Sequence, residues 1–378
     1  MNNIKQKPKI GIFTKPIDQR TSGSGSHLDQ LVRYILKANS KYEIVFIHYK
    51  ENNINDIYDN IDDIIIPRNP FKASRILKKE KFDILHYSPL TVFAPVWLRK
   101  PKKVATIHGA APCFLPKQYN KITIFHDKII RPIYMRAMDF IFTVSQTSKN
   151  YFVDAFSIED KKIGITYNAV GPEFRVTAEY KDDIINKFKI DSQFIFHLSK
   201  YSTRKNPQVI LESFNILCKT NNSIKLVLAG KDWNNDYVKI FLSENNLLNR
   251  VIFPGFVSRD EIVGLLNLAS VFIFPSFYEG FGMPNIEAMA CGCPVITSDA
   301  FAIPEVVGDA AIILNDNTNP NELSQKIIDI VTDNSLSNKL IEKGLIQSKK
   351  YSWENSANMV LTSYDNILNN KKGGYANA

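Results

Sequence analysis

Apolar residues run along this chain in short unbroken blocks separated by longer amphipathic stretches. Blocks at residues 9–14 (KIGIFT), 43–49, 61–67, 82–88, 103–108 and 140–145 are six or seven residues long. Continuous rather than alternating apolar character predicts parallel strands covered on both faces. Helix-like segments lie between them, the first at residues 27–37 after a Gly/Ser turn. The pattern then restarts. Residues 194–199, 224–230, 251–256, 270–274, 294–298 and 310–314 read as a second set of strands, with a helix at 207–218. Strands alternating with helices in two successive sets predict an α/β chain with two doubly wound parallel sheets.

Length agrees, since 378 residues exceed what one ordinary core holds. The expected division is a first domain at 1–180 and a second at 190–350. The junction falls in the polar segment 171–191, which includes Pro172 and Asp182-Asp183. Residues 351–370 read as a final helix with Trp353, Met359, Leu361, Tyr364 and Ile367 as buried candidates. The tail, 371–378, is expected to be disordered.

Charge changes the picture only in its distribution. Residues 1–185 hold 29 Lys and Arg against 19 Asp and Glu, whereas residues 186–378 hold 18 against 19. A basic first half suits an acidic partner, whether nucleic acid, an anionic membrane surface or a phosphorylated acceptor, or else is a Lys-rich solvated surface. No apolar run reaches the ~18–20 residues that span a bilayer, and the amino terminus lacks the apolar core of a secretory signal. Cys113, Cys218, Cys291 and Cys293 lack zinc-site spacing and read as reduced thiols of a cytoplasmic protein.

Candidate chemistry concentrates at residues 274–299, FPSFYEGFGMPNIEAMACGCPVITSD. A strand ends at Pro275, a glycine loop follows, a helix opens near Pro284 and stops at Gly292, and a strand resumes at Pro294. The first turn of such a helix leaves unpaired N–H groups and a partial positive charge, and Gly280 and Gly282 admit a ligand close to the backbone. A phosphate fits there. Glu279 and Glu287 bracket the loop; carboxylates repel phosphate, so they suit hydroxyl groups beside it. Phosphate together with many hydroxyls describes a nucleotide sugar. Lys200 to Asn206 (KYSTRKN) sets three cations, Lys200, Arg204 and Lys205, after the first strand of the second set, where ligands bind in such sheets.

The 274–299 stretch resembles the E-x7-E signature of retaining GT-B glycosyltransferases of family four, through Glu279, Gly280, Phe281, Gly282, Pro284, Glu287, Ala288, Ala290, Gly292, Pro294 and Val295. Arg204 and Lys205 resemble that family's pyrophosphate clamp, with Lys200 standing where many relatives have arginine. Val144-Ser145 with Tyr167-Asn168-Ala169-Val170, Pro254-Gly255-Phe256-Val257 and Pro304 to Gly308 match further family segments. His108, ending the strand KVATIH, resembles the family's cleft histidine, although Gly109 replaces the usual Asp. Gly23 and Gly25 resemble its first glycine loop. They do not complete a dinucleotide fingerprint, for which Leu28 stands in place of the third glycine and Glu51 would be the ribose acid.

The resemblance implies a GT-B architecture, two facing doubly wound domains with an interdomain cleft, in which the last helix returns to the first domain. It implies a retaining transferase that moves a hexose-type sugar from a nucleotide-diphosphate sugar to a glycan or lipid-linked acceptor. Glu287 would then bind ribose hydroxyls. Gly282, Met283, Arg204, Lys205 and Lys200, with Gly23 and Gly25, would hold the diphosphate. The backbone at Val257 would read the base, and Glu279 and His108 would contact the transferred sugar. No Asp-x-Asp pair is present, so no metal and no cofactor beyond the co-substrate is expected.

Residues 117–136 mix five cations with Ile, Phe, Tyr and Met. They fit either a peripheral contact with the inner face of a membrane or an ordinary amphipathic helix broken at Pro132. An epimerase or hydrolase of nucleotide sugars on the same architecture is the alternative enzyme, and a non-catalytic binding module the third reading. Nucleic acid is the least expected partner, because the excess charge is not organised with a stacking-aromatic or helix-turn-helix motif.

Overall fold

The computed structural model describes residues 7–18, 23–49, 56–58, 61–91, 94–221 and 223–369. Glu51 and the tail 371–378 lie outside them. The chain forms two compact units, residues 1–168 with 352–378, and residues 169–351. The division falls just ahead of the polar segment 171–191. The helix Lys181–Phe188 in that segment buries Ile184 in the second unit.

The first unit holds seven parallel strands: β1 (Lys9–Phe13), β2 (Glu43–His48), β3 (Asp63–Ile65), β4 (Ile84–Tyr87), β5 (Lys102–Thr106), β6 (Phe140–Thr143) and β7 (Ile163–Ile165). Their order is β3-β2-β1-β4-β5-β6-β7. The second unit holds β8 (Phe194–Leu198), β9 (Lys225–Ala229), β10 (Val251–Gly255), β11 (Val271–Phe274), β12 (Val295–Ser298) and β13 (Ile312–Leu314), in the order β10-β9-β8-β11-β12-β13. Both are doubly wound, and the strand order reverses beside β1 and beside β8. Such a switch point leaves a crevice outside the carboxyl ends of the strands.

The continuous apolar blocks become central strands buried on both faces. All four residues of β4, of β6, of β11 and of β12 are buried. At 25 cal/mol per Å² or so, side chains such as Phe142, Phe196 and Phe272 each contribute about 2–3 kcal/mol by leaving water. β7 has no counterpart in the sequence reading: three residues with a central glycine at a sheet edge are too short to register as an apolar block.

Two local expectations change. The segment expected as a Gly/Ser turn is helical, and the helix runs Gly23–Ala38 with Gly25 and His27 buried. Nor does the helix at 121–136 break at Pro132. It passes from Lys121–Phe125 through a π-helical turn, His126–Ile130, into Arg131–Arg136. The wider turn absorbs the amide that proline cannot donate.

The final helix, Trp353–Leu368, packs on Gly23–Ala38 within the first unit. Trp353, Tyr364 and Ile367 are buried as expected. The Tyr364 hydroxyl meets His86 Nδ1 at 2.6 Å, and His86 Nε2 meets Thr106 Oγ1 at 2.7 Å. Ser356 Oγ donates to the Tyr167 carbonyl at 2.7 Å.

Candidate active site

In the second unit the loop after β8 and the loop after β11 meet at the switch point. Thr203–Lys205 forms a single 3-10 turn, and Asn206 in left-handed conformation launches the helix Pro207–Cys218. The Phe277 N–H donates to the Arg204 carbonyl at 2.9 Å, tying the two loops by backbone. Farther along, Ser298 Oγ and Asn317 Nδ2 donate to the Ser276 carbonyl at 2.6 and 3.3 Å. The loop bearing Glu279 is thus anchored from three strands' ends.

Side chains then converge. Arg204 Nη1 donates to Glu279 Oε1 at 2.9 Å and to the Tyr278 carbonyl at 2.9 Å. Lys205 Nζ donates to the same Glu279 oxygen at 2.6 Å and lies 4.3 Å from the centre of the Phe274 ring. Burial alone would push the Glu279 carboxyl up; the Lys205 and Arg204 charges outweigh it and hold it below the usual glutamate value. Burial draws the Lys205 ammonium down, against the opposing pull of Glu279. The exposed Lys200 makes no such contact among the described residues.

Gly282 caps the helix Met283–Ala290 with φ +91°, a backbone that glycine adopts without strain. Pro284 sits in its first turn. At the other end Gly292 takes φ +72°, and Gly292 N–H to Met289 O with Cys293 N–H to Ala288 O closes a Schellman motif. Glu287 rides the second turn of this helix, partly buried. Burial pushes its carboxyl up to about 7, opposed by Arg259, which is itself paired with Glu173 at 2.6 Å. Glu279 and Glu287 are therefore shifted in opposite directions.

Sequence reasoning missed several residues here. Asn285, in the first turn of the same helix, is fully buried, and both its amide atoms lack a partner among the described residues. A groove of about 400 Å³ opens at the carboxyl ends of β9 and β10, lined by Gly230, Lys231, Trp233, Phe253, Gly255 and Phe256. Gly230 has φ +111°, and a β-carbon there would sit 2.1 Å from the Ser199 carbonyl oxygen. That carbonyl accepts from Trp233 Nε1 at 2.8 Å. Val257, buried, follows the groove and precedes Ser258, whose capping box with Glu261 starts the helix Arg259–Leu268. Of this wall, Gly255 and Phe256 belong to the segment 254–257 singled out on sequence grounds, whereas Gly230, Lys231, Trp233 and Phe253 do not.

In the first unit, His108 lies just beyond β5 and meets His27 edge-on, ring centres 4.6 Å apart. His27 Nδ1 hydrogen-bonds to Asn168 Oδ1, and His108 Nε2 has no partner among the described residues. Burial keeps both rings neutral, His27 down at about 4. His27, given no role on sequence grounds, is thus the neighbour of His108. Gly23 and Gly25 stand in the opening turn of the same helix as His27; Gly23 borders open space. His197, in the second unit, bridges the Ile273 carbonyl and Ser199 Oγ at 2.8 Å each. Among the described residues no group of three His, Cys, Asp or Glu side chains could hold a metal ion.

Comparison with known proteins settles the family. Residues 180–346 match the family described as Glycosyl transferases group 1, and residues 21–174 match Glycosyltransferase Family 4. The chain belongs to the GT-B glycosyltransferases. It is 26% identical over 382 residues to the O-antigen chain mannosyltransferase B of Escherichia coli, covering 94% of this chain and 99% of that one. It is 30% identical over 298 residues to the serotype-specific mannosyltransferase WbdA of Escherichia coli, covering 75% of this chain. The chain spans only 36% of that longer relative. The fold matches the crystal structure of Anabaena HepE in complex with UDP and glucose, with a TM-score of 0.77, 16% identity and coverage of 95% and 99%.

Proposed function

We propose that this glycosyltransferase moves a hexosyl residue, with mannose the first candidate, from a nucleotide-diphosphate sugar to a surface glycan or a lipid-linked acceptor. The observation that carries the reading is the convergence of Arg204 and Lys205 on Glu279 at the switch point of the second sheet. Two cations held there can neutralise the negative charge that grows on a departing diphosphate. The N-terminal amides of Met283–Ala290 beside Gly282 add donors for the same anion. Glu279 would take the sugar hydroxyls and steady positive charge at the sugar ring, Glu287 the ribose hydroxyls, and the groove beside Gly255 and Val257 the base. On the first unit, His108 would hydrogen-bond the transferred sugar. The two mannosyltransferase relatives support the choice of mannose.

In this reading the departing phosphate oxygen takes the acceptor's proton and attack comes from the same face, so the product keeps the donor's anomeric configuration. Assay of nucleotide sugars by thermal shift, then of transfer by NMR, tests this. A single donor should raise the melting temperature by mass action, and the product anomer should match it. Inverted product, or turnover abolished by EDTA, would refute the mechanism. Conversion of donor alone at full rate would replace it with epimerisation or hydrolysis.

A membrane-facing reading of the first unit rests on Ile122, Phe125, Ile129 and Ile133. They are 81, 58, 48 and 53% exposed and spaced three and four apart on one helical face flanked by Lys121 and Lys128. Flotation with anionic vesicles should be lost in I129D/I133D if this face lies on lipid.

A further inference from the structure

The first unit carries an open groove of about 970 Å³ that the glycosyl-transfer reading leaves unused. It lies at the amino-terminal ends of β4 and β5, beside Asp83 and Lys102, whereas His108 follows the carboxyl end of β5. Its floor is apolar. Leu77, Phe82 and Leu98 line it and are almost wholly buried, and Leu368 joins them from the end of the final helix. At its side Trp97 is 44% exposed and lies tilted against the exposed Phe71, ring centres 5.2 Å apart.

Its rim is cationic. Lys78, Lys81, Arg99 and Lys100 are exposed, and none forms a salt bridge among the described residues. The nearby carboxylates are already engaged: Asp83 accepts from the Lys9 backbone N–H at 2.7 Å, and Asp139 pairs with Lys102 at 3.3 Å. Two helices, Pro70–Lys79 and Trp353–Leu368, end here, and each carboxyl end brings roughly half a negative charge. Four free cations, less Asp83 and roughly one unit for the two helix ends, still leave about two positive charges. A site for a bare polyanion needs no apolar floor, and a site for an apolar peptide gains nothing from four unpaired cations. The combination fits a molecule that is apolar along its body and anionic at its head, and the volume is that of a small-ligand site.

We propose that this groove binds a single-chain amphiphilic anion, with its apolar body against Leu77, Phe82 and Leu98 and its phosphate-type head among Lys81, Arg99 and Lys100. The site stands independently of the glycosyl-transfer reading.

The test uses the full chain and dodecyl phosphate below its micelle concentration. Trp233 and Trp353 are each 1% exposed, so Trp97 is the tryptophan whose emission a ligand can shield from water. A saturable blue shift is expected, and it should disappear in W97F. Calorimetric titration should give one equivalent bound, with affinity at least tenfold weaker in K81E/K100E at an unchanged melting temperature. Inorganic phosphate, which lacks the tail, and dodecyl maltoside, which lacks the charge, should each bind at least tenfold more weakly. Capture by phosphatidylglycerol vesicles that is lost in K81E/K100E would assign a lipid surface as the source of the amphiphile. Binding of monomer without vesicle capture would assign a free one. The proposal is overturned if dodecyl maltoside binds as well as the phosphate, if K81E/K100E binds unchanged, if titration does not saturate, or if sedimentation shows the groove closed by a second copy of the chain.

Discussion

Glu279 presents one carboxylate oxygen to two cations, and that arrangement makes it a counter-ion before it is anything else. Removing one partner of a buried pair strands the others, at a cost of about 3–5 kcal/mol. Glu279→Gln should therefore lower the melting temperature of the free protein. The two cations it releases are those proposed to take the diphosphate, so nucleoside diphosphate should bind this variant at least as tightly as the parent and restore much of the lost stability. Transfer should nonetheless fall by about 10²–10³, the scale of losing one preorganised transition-state contact. Lys205→Ala should weaken both binding and transfer. Equal transfer by Glu279→Gln and parent would show that the carboxylate only balances charge. Glu287 obeys the opposite rule. Its folded value of about 7 lies above the ordinary 4.5, so between those values the folded state keeps a proton that the unfolded state has released. Stability from this group is present below pH 4.5 and declines as pH rises to about 7. Glu287→Gln should raise the melting temperature at pH 8 and leave it nearly unchanged at pH 4.5, as thermal scans at the two pH values would reveal.

Single elements show where the sequence speaks and where it falls silent. Every strand of the second unit was legible as a short apolar block bounded by turn residues, buried throughout in β11 and β12 and nearly so in β8 and β9, though β10 is mostly half-buried. The helix Pro207–Cys218 was legible because proline marks its start. β7 was not, being three residues with glycine at the centre, nor was the first turn of Gly23–Ala38, where two glycines and two serines mimic a loop while Gly25 packs inside. In the site, the glycine loop and its charges were readable from spacing. The partnership of Glu279 with Arg204 and Lys205 was not, since it joins residues 74 and 75 positions apart. Nor could any local pattern show that Gly230 faces the Ser199 carbonyl. Gly230→Ala should cost about 2–4 kcal/mol, from a disallowed φ and a backbone clash together; urea unfolding of the second unit's signal would measure it. The final helix offers a gentler probe. Tyr364→Phe removes the hydroxyl that satisfies His86 Nδ1 and should destabilise the first unit by about 1–3 kcal/mol.

At the scale of the whole molecule, the two units give these substitutions different addresses. Each has its own sheet and its own apolar core, the first around Leu85, Ile141 and Phe152 and the second around Ile195, Leu226 and Ile273. The chain crosses between them twice, and the final helix belongs with the first. All the residues proposed to hold the nucleotide and its diphosphate, apart from Gly23 and Gly25, belong to residues 169–351. A ligand that binds only the folded form stabilises the unit that holds it. Scanning calorimetry should therefore show nucleoside diphosphate raising the transition assigned to the second unit. Tyr364→Phe should lower the other transition and leave the ligand-induced shift intact, while Lys205→Ala should abolish that shift. Acid adds an independent marker. His27 and His86 in the first unit and His197 in the second are buried and neutral, with values near 4, 3 and 3. Below pH 6.5 the unfolded chain takes up protons that these folded rings refuse, so the first unit's transition should fall as pH drops from 6.5 toward 4, whereas in the second unit the loss at His197 is offset by the gain at Glu287. A ligand shift that follows Tyr364→Phe instead of Lys205→Ala would place the nucleotide on the first unit and undo the assignment of the switch-point cations.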